Sequence, residues 1–402
     1  MTVYLLSITD NILSFLAGFG ILQGVLLAAL LYFHPRSDKS VNKFLALYIL
    51  SLSAVMSLPF SMQALGWKNS FVLMPLPILP AVLLYLYLLS FKETITWRKA
   101  WPHFIIFFVF FFLTYWNLSA IARSYPNAPH IPVEGIKRPT TLAILFVRTA
   151  QNFLYYFLSR KAITSYQHSI KQLFSETSRI DLQWTRFLVN GYAVVICTFL
   201  VIFPLLLRFP DYFNSLILLN MAVATPYIYM AAYKGFIQPT IWQIEPGINK
   251  QTVEEEIFEV ENVKDVAAVD GSVRSSKPKL PDNKIGEIVK RVTEVMETDK
   301  IYQEPELTLQ QLADKLQYPY YQVSQAINDG MNKNFYDLVN NYRIEEAKRL
   351  LLDPKNLNYT VLSVGFEAGF NSKTTFNTVF KKFTGLTPTE YRDKKKMVTI
   401  SV

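Results

Sequence analysis

The sequence predicts an all-α protein with two parts, a seven-helix transmembrane bundle and a C-terminal domain built only of helices. The chain has 402 residues, of which 51% are hydrophobic, and this apolar content is concentrated before residue 235. After residue 283 the apolar residues recur every three or four positions, which is the period of one helix face. With only 14 glycines the chain is neither low-complexity nor repetitive, so two to three packed domains are expected.

Seven apolar runs make up the first part, and each is near the roughly 20 residues that a helix needs to cross a bilayer. Asp10 and Asp211 lie at the ends of runs, and no acidic residue between them falls inside a run. The first run is too long for the apolar region of a signal peptide, and no basic residue precedes it. The predicted spans, within a membrane domain of residues 1–234, are residues 10–33, 42–64, 70–91, 102–122, 139–160, 185–207 and 212–233.

The lysines and arginines beside the spans predict how the bundle is oriented, because cytoplasmic loops carry more of them. The loops on the side shared with the C-terminus hold eleven lysines and arginines, and those on the other side hold five. We therefore expect an extracytoplasmic N-terminus, a cytoplasmic C-terminal domain and contact with membrane lipid.

Arg148 is the notable charge inside a predicted span. Gln151, Asn152 and Tyr155 follow it at three, four and seven residues, so all four share one helix face. An arginine in hydrocarbon is costly, so it should face the bundle interior and have a partner. The stripe is either a structural polar network or a signal-binding site, and the sequence leaves both interpretations open. No carboxylate lies at comparable depth, which argues against a proton-coupled transporter.

The chain carries no residue pattern typical of catalysis or metal binding. Cys197 is its single cysteine, and the four histidines are scattered along the chain. Neither a phosphate-binding glycine loop nor a GxSxG or HExxH motif occurs. We therefore expect no enzyme activity, no cofactor and no metal site.

Two polar stretches interrupt the apolar and amphipathic segments. Residues 235–282 are acidic, then rich in serine, lysine and proline, and lack helical periodicity, which is typical of a flexible tether. Residues 161–183 follow the fifth span and are either a cytoplasmic extension of that helix or a solvated connection.

The formal net charge of +9 does not by itself indicate nucleic-acid binding. Residues 1–234 carry a net charge of +11, residues 235–282 carry −4 and residues 283–402 carry +2. The excess of positive charge therefore belongs to the membrane loops. Any DNA binding by the C-terminal part must rest on local basic patches.

Residues 360–392 predict two short helices joined by a sharp turn. Val361 and Val364 lie on one face of the first helix, Gly369 follows where that helix must end, and Ser372 is the expected N-cap of the second. The second helix has Phe376, Val379, Phe380 and Phe383 on its apolar face and Lys373, Thr374, Asn377, Thr378 and Lys381 on its outer face. Small polar and basic side chains on such a second helix are typical of major-groove reading.

The same plan occurs once more upstream. Its first helix carries Leu309, Leu312, Ala313 and Leu316, and its second carries Val323 and Ile327 inward with Tyr321, Gln322, Ser324, Gln325 and Asn328 outward. An amphipathic helix over residues 335–352 is expected to separate the two copies as a rigid spacer. A further helix over residues 284–297 is expected to pack on this domain.

These residues resemble the AraC-type transcriptional regulators. The residues that carry the resemblance are Leu312, Ala313, Val323, Ser324, Tyr342, Arg343, Ile344, Ala347, Leu350, Leu351, Gly369, Phe370, Phe376, Phe380, Lys381, Lys382, Gly385, Thr387, Pro388, Tyr391 and Arg392. The sequence departs from the family at Pro319, where a capping serine is usual, and at Gly365, where alanine is usual.

The resemblance implies a double helix-turn-helix domain over residues 283–395, followed by a tail of residues 396–402. By position in the family motif, Tyr321, Ser324 and Gln325 in the first copy, and Lys373, Thr374, Asn377, Thr378 and Lys381 in the second, are expected to contact DNA. It also implies RNA polymerase as a partner and the bacterial inner membrane as the compartment.

The sequence thus predicts a membrane-anchored transcription regulator, with three hypotheses for its membrane half. That half is a sensor of an extracytoplasmic or membrane signal, a plain anchor, or a transporter or enzyme fused to the regulator. The missing catalytic motifs and carboxylates count against the third. The signal, the operator, the choice between activation and repression, and a homodimer remain open.

Overall fold

The computed structural model describes residues 15, 19–20, 22–33, 39–70, 73–92, 94–128, 131–177, 183–209, 212–237, 280–356 and 358–400. The chain divides into two compact units. One contains Met1–Tyr166 with Leu182–Lys250, and the other contains Gln167–Asp181 with Gln251–Val402. Every named element in the described ranges is helical, which confirms the all-α prediction.

The first unit holds nine helices within the described ranges, the seventh of which continues into the second unit. They are α1 (Leu22–Phe33), α2 (Lys39–Met56), α3 (Leu58–Leu65), α4 (Leu79–Leu89), α5 (Trp97–Ser124), α6 (Val133–Ile136), α7 (Pro139–Leu173), α8 (Gln183–Arg208) and α9 (Phe213–Ile237). A single 3₁₀ turn, Leu76–Ile78, precedes α4. Most of the predicted tether and the start of the first predicted span lie outside the described residues.

Three helices of this unit, among the described residues, are long and apolar enough to cross a membrane, where the sequence predicted seven. They are Trp97–Ser124, Trp184–Arg208 and Ser215–Ile237. These correspond to the fourth, sixth and seventh predicted spans. Shorter apolar helices, Leu22–Phe33, Val41–Met56 and Leu76–Leu89, occupy the first three predicted positions.

Proline and polar residues explain why the second, third and fifth runs fall short. The second run is divided at Ser57, and Pro59 lies in the first turn of α3. The third run begins its α-helix only at Leu79, because three prolines in a short stretch each remove a backbone donor and favour helix starts. The fifth run lies inside α7, where the stripe that begins with Arg148 lowers the hydropathy.

The described part of the second unit contains the end of α7 and seven further helices. They are α10 (Asp282–Thr298), α11 (Leu309–Leu316), α12 (Tyr320–Gln325), α13 (Phe335–Leu352), α14 (Val361–Glu367), α15 (Lys373–Thr384) and α16 (Pro388–Ile400). A π-helical turn, Ala326–Gly330, follows α12, and 3₁₀ turns lie at Ile301–Gln303 and Pro354–Asn356. The helix α13 matches the predicted spacer, and α16 runs through the start of the predicted tail.

Local sequence determines where the helices of this unit begin and end. Thr308 caps α11 through its hydroxyl, which accepts from the Gln311 backbone, while the Gln311 side chain accepts from the Thr308 backbone. Ser372 caps α15 as predicted, since its Oγ accepts from the Thr375 backbone N–H at 3.1 Å. Gly385 ends α15 in a left-handed conformation that glycine adopts without strain.

The core of the unit is formed by the apolar faces that the periodicity predicted. Around α14 and α15 the buried residues are Ile344, Ala347, Leu350, Leu351, Val364, Ala368, Phe370, Phe376, Val379 and Phe380. Around α10 to α12 they include Ile288, Val292, Met296, Leu312, Ala313, Leu316, Val323 and Ile327. The two copies therefore each bury the inner face of their helices.

Gly365 and Gly369 permit two close approaches in the second copy. A Cβ on Gly365 would lie 2.6 Å from Cδ1 of the Phe376 ring. Gly369 has a φ of +98°, and a Cβ there would lie 2.6 Å from the Tyr302 carbonyl oxygen. The glycine that replaces the usual alanine at residue 365 thus makes room for a phenylalanine ring.

Candidate DNA-binding site

The outer face of α15 presents the predicted base-reading side chains to solvent. Lys373, Thr374, Thr378 and Lys381 are exposed and Asn377 is half-buried. On the opposite face Val379 and Phe380 are buried, so the helix is held by its apolar side. Among the described residues these five side chains form no hydrogen bond or ion pair, which leaves their polar atoms available to a ligand.

The outer face of α12 differs, because its predicted residues already contact one another or their neighbours. Tyr321 accepts a hydrogen bond on its hydroxyl from Gln322 at 3.2 Å, and its ring packs edge-on against Tyr320. Gln325 donates to the Asp329 carboxylate at 3.3 Å. Tyr321 is exposed, while Ser324 and Gln325 are half-buried. A DNA base would therefore have to compete with internal contacts of Gln325.

Lys382 lies outside both reading faces. Its Nζ is 2.8 Å from the Asp337 carboxylate, so it joins α15 to the spacer α13. Lys381, one residue earlier, is exposed and forms no ion pair within 4 Å among the described residues. Hydrogen bonds from Thr387 lower the pKa of the nearby Glu390 carboxyl, and the charge of Lys381 contributes in the same direction.

Arg343 is a structural residue of the site that the sequence analysis named only as part of the family motif. It is 0% exposed, and its guanidinium donates to the carbonyl oxygens of Tyr302 at 2.7 Å and Glu304 at 2.6 Å. These bonds fix the connection between α10 and α11 to the spacer helix. Arg343 lies four residues from both Val339 and Ala347 on α13, so it shares the buried face of the helix with them. This spacing was the feature of the sequence from which its burial could have been predicted.

Three of the four side chains in the polar stripe that begins with Arg148 form hydrogen bonds within the first unit. Asn152 accepts from the Tyr192 hydroxyl at 2.6 Å, Tyr155 bonds to His103 at 2.8 Å, and Gln151 reaches the Ile78 carbonyl at 3.5 Å. All three are buried. The guanidinium of Arg148 lies 5.7 Å from the centre of the Phe199 ring and forms no hydrogen bond with any residue that the structure describes.

A family of helix-turn-helix domains matches residues 312–394. The matched range begins in α11 and ends in α16, inside the predicted DNA-binding domain. The chain therefore carries an AraC-type helix-turn-helix domain of the kind found in DNA-binding transcription regulators.

The curated relatives are uncharacterized HTH-type transcriptional regulators of Staphylococcus aureus, including one from strain COL and others from further strains. They are 27% identical to this chain over 109 residues, which is 27% of this chain and 14% of each relative. The chain thus spans about one seventh of the length of the relatives it matches. No solved structure matches the chain.

Proposed function

We propose that this chain is a membrane-anchored, sequence-specific transcription regulator that reads double-stranded DNA with the outer faces of α12 and α15. The observation that carries the proposal is the outer face of α15. Its polar and basic side chains are accessible and, within the described part of the chain, free of internal partners, while its apolar face is buried in the domain core.

The residue types on α15 fit the chemistry of base edges. An asparagine amide can form two hydrogen bonds with adenine, a lysine can donate to guanine, and a threonine offers both a hydroxyl and a methyl group. Lys373 and Thr374 supply these groups in the first turn of the helix, and Asn377 and Thr378 supply them one turn later. Lys381 lies farther along and is suited to a phosphate.

Selection from a randomised DNA library, with full-length protein in detergent, tests this assignment. Asn377→Ala should weaken binding to the selected site by about 1–3 kcal/mol and relax the preference at one base pair. Asn358→Ala removes an exposed asparagine from the connection between α13 and α14 and should leave base preference unchanged. An unchanged preference in Asn377→Ala would show that this face does not read DNA.

The salt dependence of binding separates the two neighbouring lysines. Lys381→Ala should weaken binding to all sequences alike and flatten the slope of affinity against salt by about one counterion. Lys382→Ala should change that slope less, because its charge is already paired with Asp337.

We infer that the first unit anchors the regulator with the N-terminus outside the cytoplasm. The three long apolar helices support this, and we assign the four other apolar runs to further crossings of the same bundle. A reporter active only outside the cytoplasm should be active when fused after Asn69 or within residues 125–136. It should be silent after Lys39 or Glu93, and the reverse pattern would place the DNA-binding domain on the wrong side of the membrane.

Arg148 favours a sensor over a plain anchor. Its three companions have partners inside the first unit, whereas its own guanidinium lacks a carboxylate among the described residues and could bind an anionic group. Arg148→Gln should leave membrane insertion and DNA affinity intact but abolish a transcriptional response to an added extracytoplasmic compound. A retained response in Arg148→Gln would show that Arg148 does not bind the signal, and a lack of response in the unchanged chain would favour the plain anchor. RNA polymerase is a partner implied by the family resemblance, and a second copy of the chain is a further proposed partner.

A further inference from the structure

The stretch after the fifth predicted span enters the second unit at Gln167, and most of its described residues from there to residue 177 are buried. The helix α7 continues to Leu173, and its last residues, together with residues 174–177, belong to the same compact unit as the DNA-binding domain. Ile170, Leu173 and Phe174 are buried, and Ser175 is 0% exposed. Residues 174–177, called here the docking segment, therefore form part of the packed structure of this unit.

The backbone of the docking segment contacts the start of the helix pair α11–α12. Phe174 forms an antiparallel bridge with Thr308, the N-cap of α11. The backbone N–H of Ser175 donates to the Leu307 carbonyl at 3.1 Å, and its hydroxyl donates to the same oxygen at 2.6 Å. These bonds hold the start of α11 against the segment.

The same segment contacts the spacer helix and the second helix pair. Asn340 of α13 donates to the Ser175 carbonyl at 3.0 Å, and Arg343 donates to the Ser175 hydroxyl oxygen at 3.2 Å. One residue later, the Glu176 carboxylate accepts from the Thr375 hydroxyl of α15 at 3.3 Å. Two consecutive residues thus link all three parts of the DNA-binding domain.

The charges on either side of this contact are complementary. Burial lowers the pKa of the Arg343 guanidinium to about 10, and the negative charge of Glu176 opposes that shift. Arg343 also carries the bonds to Tyr302 and Glu304, so it connects the docking segment to the loop that precedes α11. Loss of the segment would leave the buried guanidinium with fewer acceptors, which is costly for a charge.

Docking leaves the proposed reading surfaces uncovered. Lys373, Thr374 and Thr378 remain exposed beside the Thr375 contact, and Tyr321 remains exposed on α12. A contact that orders both helix pairs without hiding them reduces the conformational cost of binding DNA.

We propose that Leu307, Thr308, Asn340, Arg343 and Thr375 form an internal docking surface whose occupant is residues 174–177. Docking fixes the two helix pairs in the arrangement that binds DNA, and it makes DNA binding depend on α7. The inference rests on the proposed DNA-binding function. The docking contact joins the end of α7 to the DNA-binding domain without residues 241–279 of the predicted tether.

A disulfide trap tests the contact in the full-length chain. Phe174 and Thr308 form a non-hydrogen-bonded antiparallel pair, because the backbone hydrogen bond joins their neighbours Ser175 and Leu307. The Cβ atoms of such a pair are close enough for a disulfide. In a Cys197→Ser background, Phe174→Cys with Thr308→Cys should cross-link within one chain in native membranes, as detected by mass spectrometry. His168→Cys with Thr308→Cys is the matched control, because His168 belongs to the same unit but lies six residues before Phe174, about 9 Å along α7, and it should not cross-link. Failure of the first pair to cross-link would overturn docking.

DNA binding by the same protein tests the coupling. The oxidised 174–308 pair should bind a selected DNA site at least as tightly as its reduced form. Ser175→Leu, which removes the hydroxyl contacts at a fully buried position, should weaken binding at least tenfold, and Thr164→Leu, at an exposed position earlier on α7, should not. Equal affinity of Ser175→Leu and the unchanged chain would overturn the coupling. If the unchanged chain selects no DNA while the cross-link forms, the proposed DNA-binding function fails and the docking contact itself stands.

Discussion

The two helices proposed to read DNA, α12 and α15, share one predicted plan but are stabilised in different ways. The second, α15, has 12 residues, a serine N-cap and a glycine C-cap, and it lies in a cluster of phenylalanine rings. The first, α12, has six residues, begins after Pro319 without a side-chain cap, and continues into a π-helical turn. Gly330 at the end of that turn lies where a Cβ would be 2.7 Å from Val289 of α10.

The difference shows that α15 is specified mainly by its own sequence, whereas α12 depends on its neighbour α10. Both ends of α15 are capped by residues of its own sequence, which adds local stability to the packing of its apolar face. A six-residue helix is too short to be stable alone and must obtain its stability from tertiary packing. Substitutions should therefore affect the two copies unequally.

The largest expected difference follows from removing the buried anchor of each helix. Phe376→Ala should destabilise the second copy by about 3–5 kcal/mol, and Val323→Ala should destabilise the first by about 2 kcal/mol, because less apolar volume is lost. Both side chains are at most 1% exposed. Hydrogen exchange of amides in α15 and α12 measures the two losses, and equal losses would contradict the comparison.

The turn of the second copy should be the next most sensitive. Gly369→Ala should cost about 3 kcal/mol or more, because it combines a positive φ with a Cβ that meets the Tyr302 carbonyl. Gly385→Ala is the matched control, since its φ of +77° is also positive but nothing lies within 4 Å of the added Cβ. It should cost only about 1–2 kcal/mol. Thermal unfolding and the hydrogen exchange of α15 amides measure the loss of stability in both variants. Similar losses in Gly369→Ala and Gly385→Ala would exclude the close contact with Tyr302 as a cause.

Substitutions at the N-cap positions of α15 and α12 should change helix stability by smaller amounts and in opposite directions. Ser372→Ala should destabilise α15 by about 1 kcal/mol, because it removes the hydrogen bond to the Thr375 N–H. Pro319→Ser should stabilise α12 by up to about 1 kcal/mol, because it supplies the missing cap. Amide exchange at the first turn of each helix measures both. A loss of stability in Pro319→Ser would show that the rigid proline, rather than a cap, matters at the start of α12.

The smallest expected effect is the pH dependence contributed by Glu346, which lies on the spacer between the copies. Hydrogen bonding by Arg349 lowers the pKa of this carboxyl in the folded protein below its usual value near 4.5, with Lys300 contributing in the same direction. The resulting stability is present above that usual value and is lost as the pH falls through the lowered pKa. Because Arg349 is largely exposed, the contribution should stay below about 1 kcal/mol.

Unfolding of the full-length protein near pH 7 and near pH 3 measures this contribution. Glu346→Gln should lose stability at the higher pH and little at the lower. Glu345→Gln breaks the more exposed pair with Lys348 and is the matched control. An equal response of the two variants to pH would show that Glu346 has no special role.

Local features were predictable from the sequence, and contacts between distant residues were not. The spacer α13, the N-cap Ser372 and the turn at Gly369 follow from periodicity and the conformational preferences of nearby residues. Within the described residues three long apolar helices occur where seven were predicted, because a count of apolar runs does not register how prolines divide a run or how a polar stripe lowers its hydropathy. The bonds of Arg343 to Tyr302 and to Ser175 join residues 41 and 168 positions apart, a pairing that no local pattern specifies.

The contact between Gly365 and Phe376 bears on how this domain could have evolved. The first copy has Ala313 and Val323 at the corresponding positions. Alanine is larger than glycine and valine is smaller than phenylalanine, so the two differences in side-chain volume offset each other. Neither residue of the glycine–phenylalanine pair can then change alone without a clash or a cavity. Restoring the more usual alanine at residue 365 should be harmful by itself and tolerated when Phe376→Val accompanies it. Such a pair is expected to co-vary among related sequences, so that ancestral reconstruction must exchange both residues together.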